Sequence, residues 1–179
     1  VVEAIVRQVQ GTARFTHHQG CCQTPLDIGL VNKALIGLGR NPNLHSVLLI
    51  SLGCESTALT EVIEGIRASG KRVEHLIVQE TGGAARTTAA GILLAQEMVR
   101  EASLAQREPF PISHLVLGMK CGSSDTTSGL VPNPAIGVAS DLLVQAGGIS
   151  VLGEVTEFIG AEHILARHAA SKEVADGIY

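Results

Sequence analysis

The chain has 179 residues, of which 45% are hydrophobic and only 2% aromatic, and it carries a formal net charge of −4 with a mean hydropathy of +0.29. That length suffices to bury one domain core, and with no Trp the core has to be Val, Ile, Leu and Ala, as where parallel strands are covered on both faces. No Lys/Arg cluster marks a nucleic-acid surface, no apolar run reaches the ~18 residues of a bilayer span, and no signal-peptide pattern is present, so the expectations are no nucleic acid, no membrane and a cytoplasmic location.

Apolar periodicity predicts helices alternating with short strands. Val2, Ile5, Val6 and Val9 open the chain at helical spacing, and the first residue is not Met. A fragment lacking N-terminal and C-terminal segments is therefore expected, with residues 1–179 forming a single α/β domain. Residues 12–16 read as a first strand, 25–38 as a helix, 46–52 as a buried strand, and 56–68 as a helix with Leu59, Val62, Ile63 and Ile66 on one face. A third strand follows over 73–78, a long helix over 84–105, and a fourth strand over 113–119 beyond Pro109 and Pro111. A helix over 134–146 with Asn133 as N-cap, a fifth strand over 149–152 and a helix over 160–170 complete the order. This alternation implies an open, doubly wound, Rossmann-like parallel sheet of about five strands with helices on both faces.

In such sheets ligands bind beyond the carboxyl ends of the strands. Each predicted strand runs there into polar, thiol-bearing or glycine-rich residues. They are His17-His18-Gln19-Gly20-Cys21-Cys22, Gly53-Cys54-Glu55, Gln79-Glu80-Thr81-Gly82-Gly83, Lys120-Cys121-Gly122-Ser123-Ser124-Asp125, and Gly153-Glu154-Val155-Thr156-Glu157. The opposite strand ends are plainer. With no CxxC pair a zinc ribbon is excluded. Three thiols at strand ends, Cys21, Cys54 and Cys121, suit iron or an iron–sulfur cluster better than magnesium or calcium. Glu154, Glu157 and His17 are the alternative donors for a mononuclear site, and the plain alternative is that cysteines such as Cys22 and Cys54 are small buried hydrophobes. Cys54 is expected just before a helix, whose N-terminus stabilises a thiolate.

Lys120, desolvated at the mouth of a strand, fits a general base or, equally, a salt bridge or a clamp for a substrate carboxylate. His17 and His18 point to opposite faces of an extended strand, so at most one enters the site. Gly82-Gly83 before a long helix can cradle an anion. The hydroxyls of Thr126, Thr127 and Ser128 can hold a polyol acid or bond to their own backbone.

The run Gly118-Met119-Lys120-Cys121-Gly122-Ser123-Ser124-Asp125-Thr126-Thr127-Ser128-Gly129, followed by Asn133-Pro134-Ala135, resembles the signature of the altronate/galactarate dehydratase family. So do Gly153-Glu154-Val155-Thr156-Glu157 with Gly160-Ala161-Glu162, and the Gly20-Cys21 and Gly53-Cys54-Glu55 turns. The resemblance implies a sugar-acid hydro-lyase activated by Fe(II), mononuclear or in a cluster, on a parallel-sheet domain that forms a homodimer. The related sulfolactate sulfo-lyases share much of the pattern, and a non-catalytic dimerisation fragment is the remaining alternative. On this resemblance Cys21, Cys54, Cys121 and Glu154 are assigned to the metal. Lys120 or His17 is assigned as base, and Glu55 or Asp125 as acid or ligand-orienting group. Gly82, Gly83, Ser124, Thr127, Ser128 and Asn133 are assigned to the substrate.

Overall fold

A computed structural model of the chain describes residues 1–17, 20–122 and 124–179; His18, Gln19 and Ser123 lie outside the described residues. The chain divides into two compact units, Val1–Gln106 and Arg107–Tyr179.

The first unit contains α1 (Val2–Gln8), α2 (Pro25–Gly39), β1 (Ser46–Ser51), α3 (Leu59–Arg67), β2 (Arg72–Ile77), the single turn α4 (Val78–Thr81) and α5 (Ala84–Ala102). β1 and β2 pair in parallel, from Ser46 opposite Arg72 to Ser51 opposite Ile77. The period-2 alternation of β1 splits its aliphatic run between two layers. Val47 and Leu49 meet Leu35 and Ile36 of α2 and Val62, Ile63 and Ile66 of α3. Leu48 and Ile50 meet Ile5 of α1 and Ala95 and Val99 of α5. Two glycines let these layers close: a Cβ on Gly65 would stand 2.6 Å from Ile36 Cδ1, and one on Gly91 would stand 2.4 Å from Ile5 Cδ1. Arg72 ties β2 to α5 through Glu97 (3.0 Å) and Glu101 (2.6 Å), and also pairs with Glu74 (2.9 Å).

The second unit contains β3 (Val116–Met119), α6 (Thr126–Leu130), α7 (Pro132–Gln145), β4 (Ile149–Leu152), α8 (Glu162–Ala166) and α9 (Lys172–Asp176). β3 and β4 pair in parallel, Val116 opposite Ile149 through Met119 opposite Leu152. α7 buries Leu143, and its Ser140 hydroxyl donates to Ser150 Oγ at 2.8 Å, fixing the helix to β4.

Several expectations change. Among the described residues there are two two-stranded parallel sheets rather than one sheet of about five strands. Residues 12–17 carry no ladder hydrogen bonds. The helix expected from residue 56 begins at Leu59, after a turn in which the Ser56 N–H donates to Gly20 O at 2.7 Å. The strand expected from 113 begins at Val116, because Ile112–His114 form a 3-10 turn after Pro111. α7 starts at Pro132, with Val131 in the N-cap position, so Asn133 sits inside the first turn and does not cap it. No helix is long and apolar enough to cross a membrane among the described residues.

Candidate functional site

In the first unit the carboxyl ends of β1 and β2 form a polar rim. β1 ends on Ser51, a buried polar residue, and turns through Gly53, whose φ is +109°. A Cβ there would press on Ile77 Cγ2 at 2.9 Å and Gln79 Oε1 at 3.0 Å, so the turn requires glycine. Glu55 folds back over this turn: the Gly53 N–H donates to Oε2 at 2.7 Å, and the Ser51 hydroxyl donates to Oε1. Partial burial pushes the Glu55 carboxyl up, but the Ser51 hydroxyl and the backbone N–H groups of Gly53, Cys54 and Glu55 together hold it below its ordinary value. Glu55 is thus an anion at neutral pH, and its geometry suits orienting or ligating better than proton donation.

The Gly20–Cys22 turn is held against the same rim. Gly20 O accepts from Ser56 N–H, and Cys21 Sγ donates a long contact of 3.8 Å to Cys54 O. Cys21, Cys22 and Cys54 are all exposed free thiols, which removes the reading of Cys22 and Cys54 as buried hydrophobes. Cys54 lies five residues ahead of α3 and not at its N-terminus, so the helix-dipole argument does not reach it. His17 is exposed and lines the groove along β1 with Gly20, Cys21 and Glu55. Gly82 and Gly83, at φ +88° and +102°, make the left-handed turn between α4 and α5. Gly83 is the N-cap residue of α5, and its carbonyl accepts from the N–H and the hydroxyl of Thr87, a fully buried residue.

In the second unit the rim follows β3 and β4. Lys120 Nζ pairs with Glu154 Oε1 at 3.0 Å and donates to Cys121 O at 3.2 Å. The Lys120 side chain is 66% exposed, so the expected desolvation is absent and the salt-bridge alternative is the observed one. The two strand-end turns are joined by Gly153 N–H donating to Met119 O at 2.8 Å, and Glu154 holds the left-handed conformation at φ 61°. Asp125 caps α6: Oδ1 accepts from Ser128 N–H at 3.0 Å and from the Thr127 hydroxyl, and Oδ2 accepts from the Ser128 hydroxyl at 3.1 Å. The hydroxyls of Thr127 and Ser128 therefore serve the helix cap here. Ser124 and Asn133 are exposed.

The four assigned ligands divide between the units, Cys21 and Cys54 in the first and Cys121 and Glu154 in the second. Their donor types, thiolate and carboxylate, suit iron(II). Among the described residues, no group of three or more His, Cys, Asp or Glu is placed to hold a metal ion. The sequence reading missed Ser51 and Thr87. Ser51 carried a usable signal: a hydroxyl closing an aliphatic strand four residues before a carboxylate. Thr87 carried none.

Both units match known families, over ranges that lie on either side of the boundary between them. Residues 1–103 match the family model described as D-galactarate dehydratase/altronate hydrolase, second domain. The chain belongs to this family. Residues 112–179 match its counterpart, D-galactarate/altronate dehydratase, C-terminal. Relatives include the (2R)-sulfolactate sulfo-lyase subunit beta of Chromohalobacter salexigens, 40% identical over 97% of this chain and 44% of its own length. The altronate dehydratase of Bacillus subtilis is 39% identical over 97% of this chain and 36% of its length. The L-threo-forming galactarate dehydratase of Escherichia coli is 34% identical over 79% of this chain and 28% of its length. The chain thus spans less than half the length of each of these relatives.

Proposed function

We propose that this chain is part of a lyase that removes water from a sugar acid of the altronate or galactarate type, giving a 2-keto-3-deoxy acid. The observation that carries the reading is the family match of both units, each to a dehydratase family.

Loss of water from a 2,3-dihydroxy acid needs a base for the weakly acidic C–H beside the carboxylate and a means to release hydroxide. His17, exposed at the strand-end rim, is the base that accepts this proton. Lys120 holds the substrate carboxylate: its ammonium spends one donor on Glu154 and one on Cys121 O, which leaves a third for the anion. Gly82 and Gly83 present a backbone turn to the acid, and the exposed Ser124 and Asn133 are the hydroxyl and amide partners for the polyol, beside the α6 cap that Thr127 and Ser128 hold with Asp125. Glu55 and Asp125, both hydrogen-bonded carboxylates, orient their neighbours. The proton and the hydroxide leave as water, and the resulting enol tautomerises to the keto acid. Iron(II) is the proposed cofactor, with Cys21 and Cys54 of the first unit or Cys121 and Glu154 of the second as candidate donors; a bound metal would polarise the departing hydroxyl. A homodimer is the proposed assembly.

Sulfolactate sulfo-lyase chemistry is the second reading, favoured by the 40% identity to the subunit beta. Anaerobic incubation of the full-length enzyme that contains this chain with iron(II) and altronate, galactarate or sulfolactate separates the two. A keto-deoxy acid from either sugar acid is expected. Sulfite from sulfolactate alone would replace the first reading with the second, and no product from any acid would overturn both. The Cys121→Ala variant should lose bound iron and turnover, while Cys22→Ala should keep both.

A further inference from the structure

Among the described residues β1 has a strand partner on one edge only. Along its other edge runs a groove of about 1150 Å³, walled by Leu35 and Leu38 of α2 on one side and by Val6 of α1 and Val99 of α5 on the other. The groove is lined along the whole of β1, from Ser46 to Ser51.

We propose that residues 12–17 close onto this groove as a third parallel strand beside β1, completing the order (12–17)-β1-β2. Four observations converge on this occupant. Gly11 lies at one end of the groove, against Val99 near the end of α5, and Gly20 is bound at the other end by Ser56 just beyond β1. The segment between them thus already runs in the direction of β1. Its six residues span ~20 Å when extended, the length of β1.

Connectivity gives the same edge. α2 and α3 pack on the same face of the sheet. Crossovers between parallel strands are right-handed, so two successive helices on one face mean that the strands step in one direction. The strand preceding α2 then belongs on the edge of β1 remote from β2.

Side-chain alternation agrees. Thr12 donates to Val9 O at 2.6 Å and Arg14 ion-pairs with Glu3, so the even positions face α1. Ala13, Phe15 and His17 then face α2. Phe15, now 59% exposed while lining the groove, is the side chain that docks on Leu35 and Leu38. Closure also gives the backbone of β1 the pairing it lacks and fixes His17 at the carboxyl end of the sheet, next to the Glu55 turn.

Hydrogen–deuterium exchange on the full chain tests this without reference to turnover, so its outcome is separate from that of the lyase assay. The amides of 12–17 are expected to exchange roughly 100-fold more slowly than an unstructured peptide, as for a segment that opens only by local unfolding. Phe15→Ala should abolish that protection while the amides of β2 keep theirs, and Phe15→Leu should restore most of it. Free exchange over 12–17 in the unsubstituted chain overturns the proposal. So does protection of β1 that is unchanged in Phe15→Ala while 12–17 exchange freely, since another segment would then occupy the edge. If Phe15→Ala fails to fold, the unsubstituted chain alone decides.

Discussion

The two units are built from the same parts, a parallel strand pair and a crossover helix, yet they bury very different amounts of themselves. Every residue of β1 is at least half-buried, whereas three of the four residues in each of β3 and β4 are exposed. Among the described residues the buried hydrophobic side chains are Ile5, Val9, Val62, Ile63, Ile66, Val73, Ala95 and Met98 in the first unit, against Leu143 alone in the second. The difference lies in helices and not in strand sequence. Val116, Leu117, Val151 and Leu152 are as apolar as β1, but within the second unit α7 is the long helix available to them, where β1 has helices on both faces. A parallel strand gains its hydrophobic stabilisation only when both faces are covered.

The largest test of this contrast is a matched pair of truncations. Ile66 is fully buried between α3 and its neighbours, so Ile66→Ala should cost about 2–5 kcal/mol through lost burial and a residual cavity. Val116 is 57% exposed, and Val116→Ala should cost less than about 0.5 kcal/mol, as for an ordinary surface position. Denaturant midpoints followed separately for each unit measure both. Equal losses would mean that β3 is covered in solution and would remove the contrast.

A smaller effect of opposite sign comes from glycines. Gly91→Ala places a Cβ 2.4 Å from Ile5 Cδ1 and should destabilise by about 1–3 kcal/mol through overpacking of the α1–α5 contact. Gly118 in β3 has nothing within 4 Å of its would-be Cβ, and its φ is not in the left-handed region. Gly118→Ala should be neutral or stabilise by up to about 1 kcal/mol, because it restricts the unfolded chain. The midpoint shifts of the two variants, compared at one pH, check the signs.

The same contrast explains how much of the molecule was legible in its sequence. Local signals carried well. α2 started at Pro25 as expected, Gly83 preceded α5, and β4 fell on residues 149–152 as its aliphatic run indicated. What the sequence did not carry was long-range. Nothing local announces that Ser56 N–H will bond Gly20 O, or that α3 will begin three residues later than its apolar pattern indicates. The helix expected over 160–170 covers only Glu162–Ala166, and a separate one follows, capped by Ser171, which accepts from Val174 N–H at 3.2 Å. The partition into two sheets is likewise a pairing fact, invisible to periodicity. At the site, residue types at strand ends were readable, but the engagement of Asp125, Thr127 and Ser128 with one another and the pairing of Lys120 with Glu154 depend on backbone turns that no spacing specifies.

The smallest effect expected is electrostatic and belongs to the less buried unit. Glu162 opens α8 and accepts from Gly160 N–H at 2.9 Å; this bond and its own N–H hold its carboxyl below the ordinary value. A carboxyl whose folded value is depressed stabilises the fold above its unfolded value, near ~4.3, and that contribution is lost as pH falls through the lower folded value. The second unit should therefore loosen slightly on acidification below about pH 4.5, and Glu162→Gln should flatten that slope while leaving Ile66 and its neighbours in the first unit unaffected. The group is solvent-exposed, so the effect is modest. Unit-resolved hydrogen exchange at pH 3.5 and pH 7 reads it. A pH response of the second unit that survives Glu162→Gln would assign the loosening to groups other than the Glu162 carboxyl.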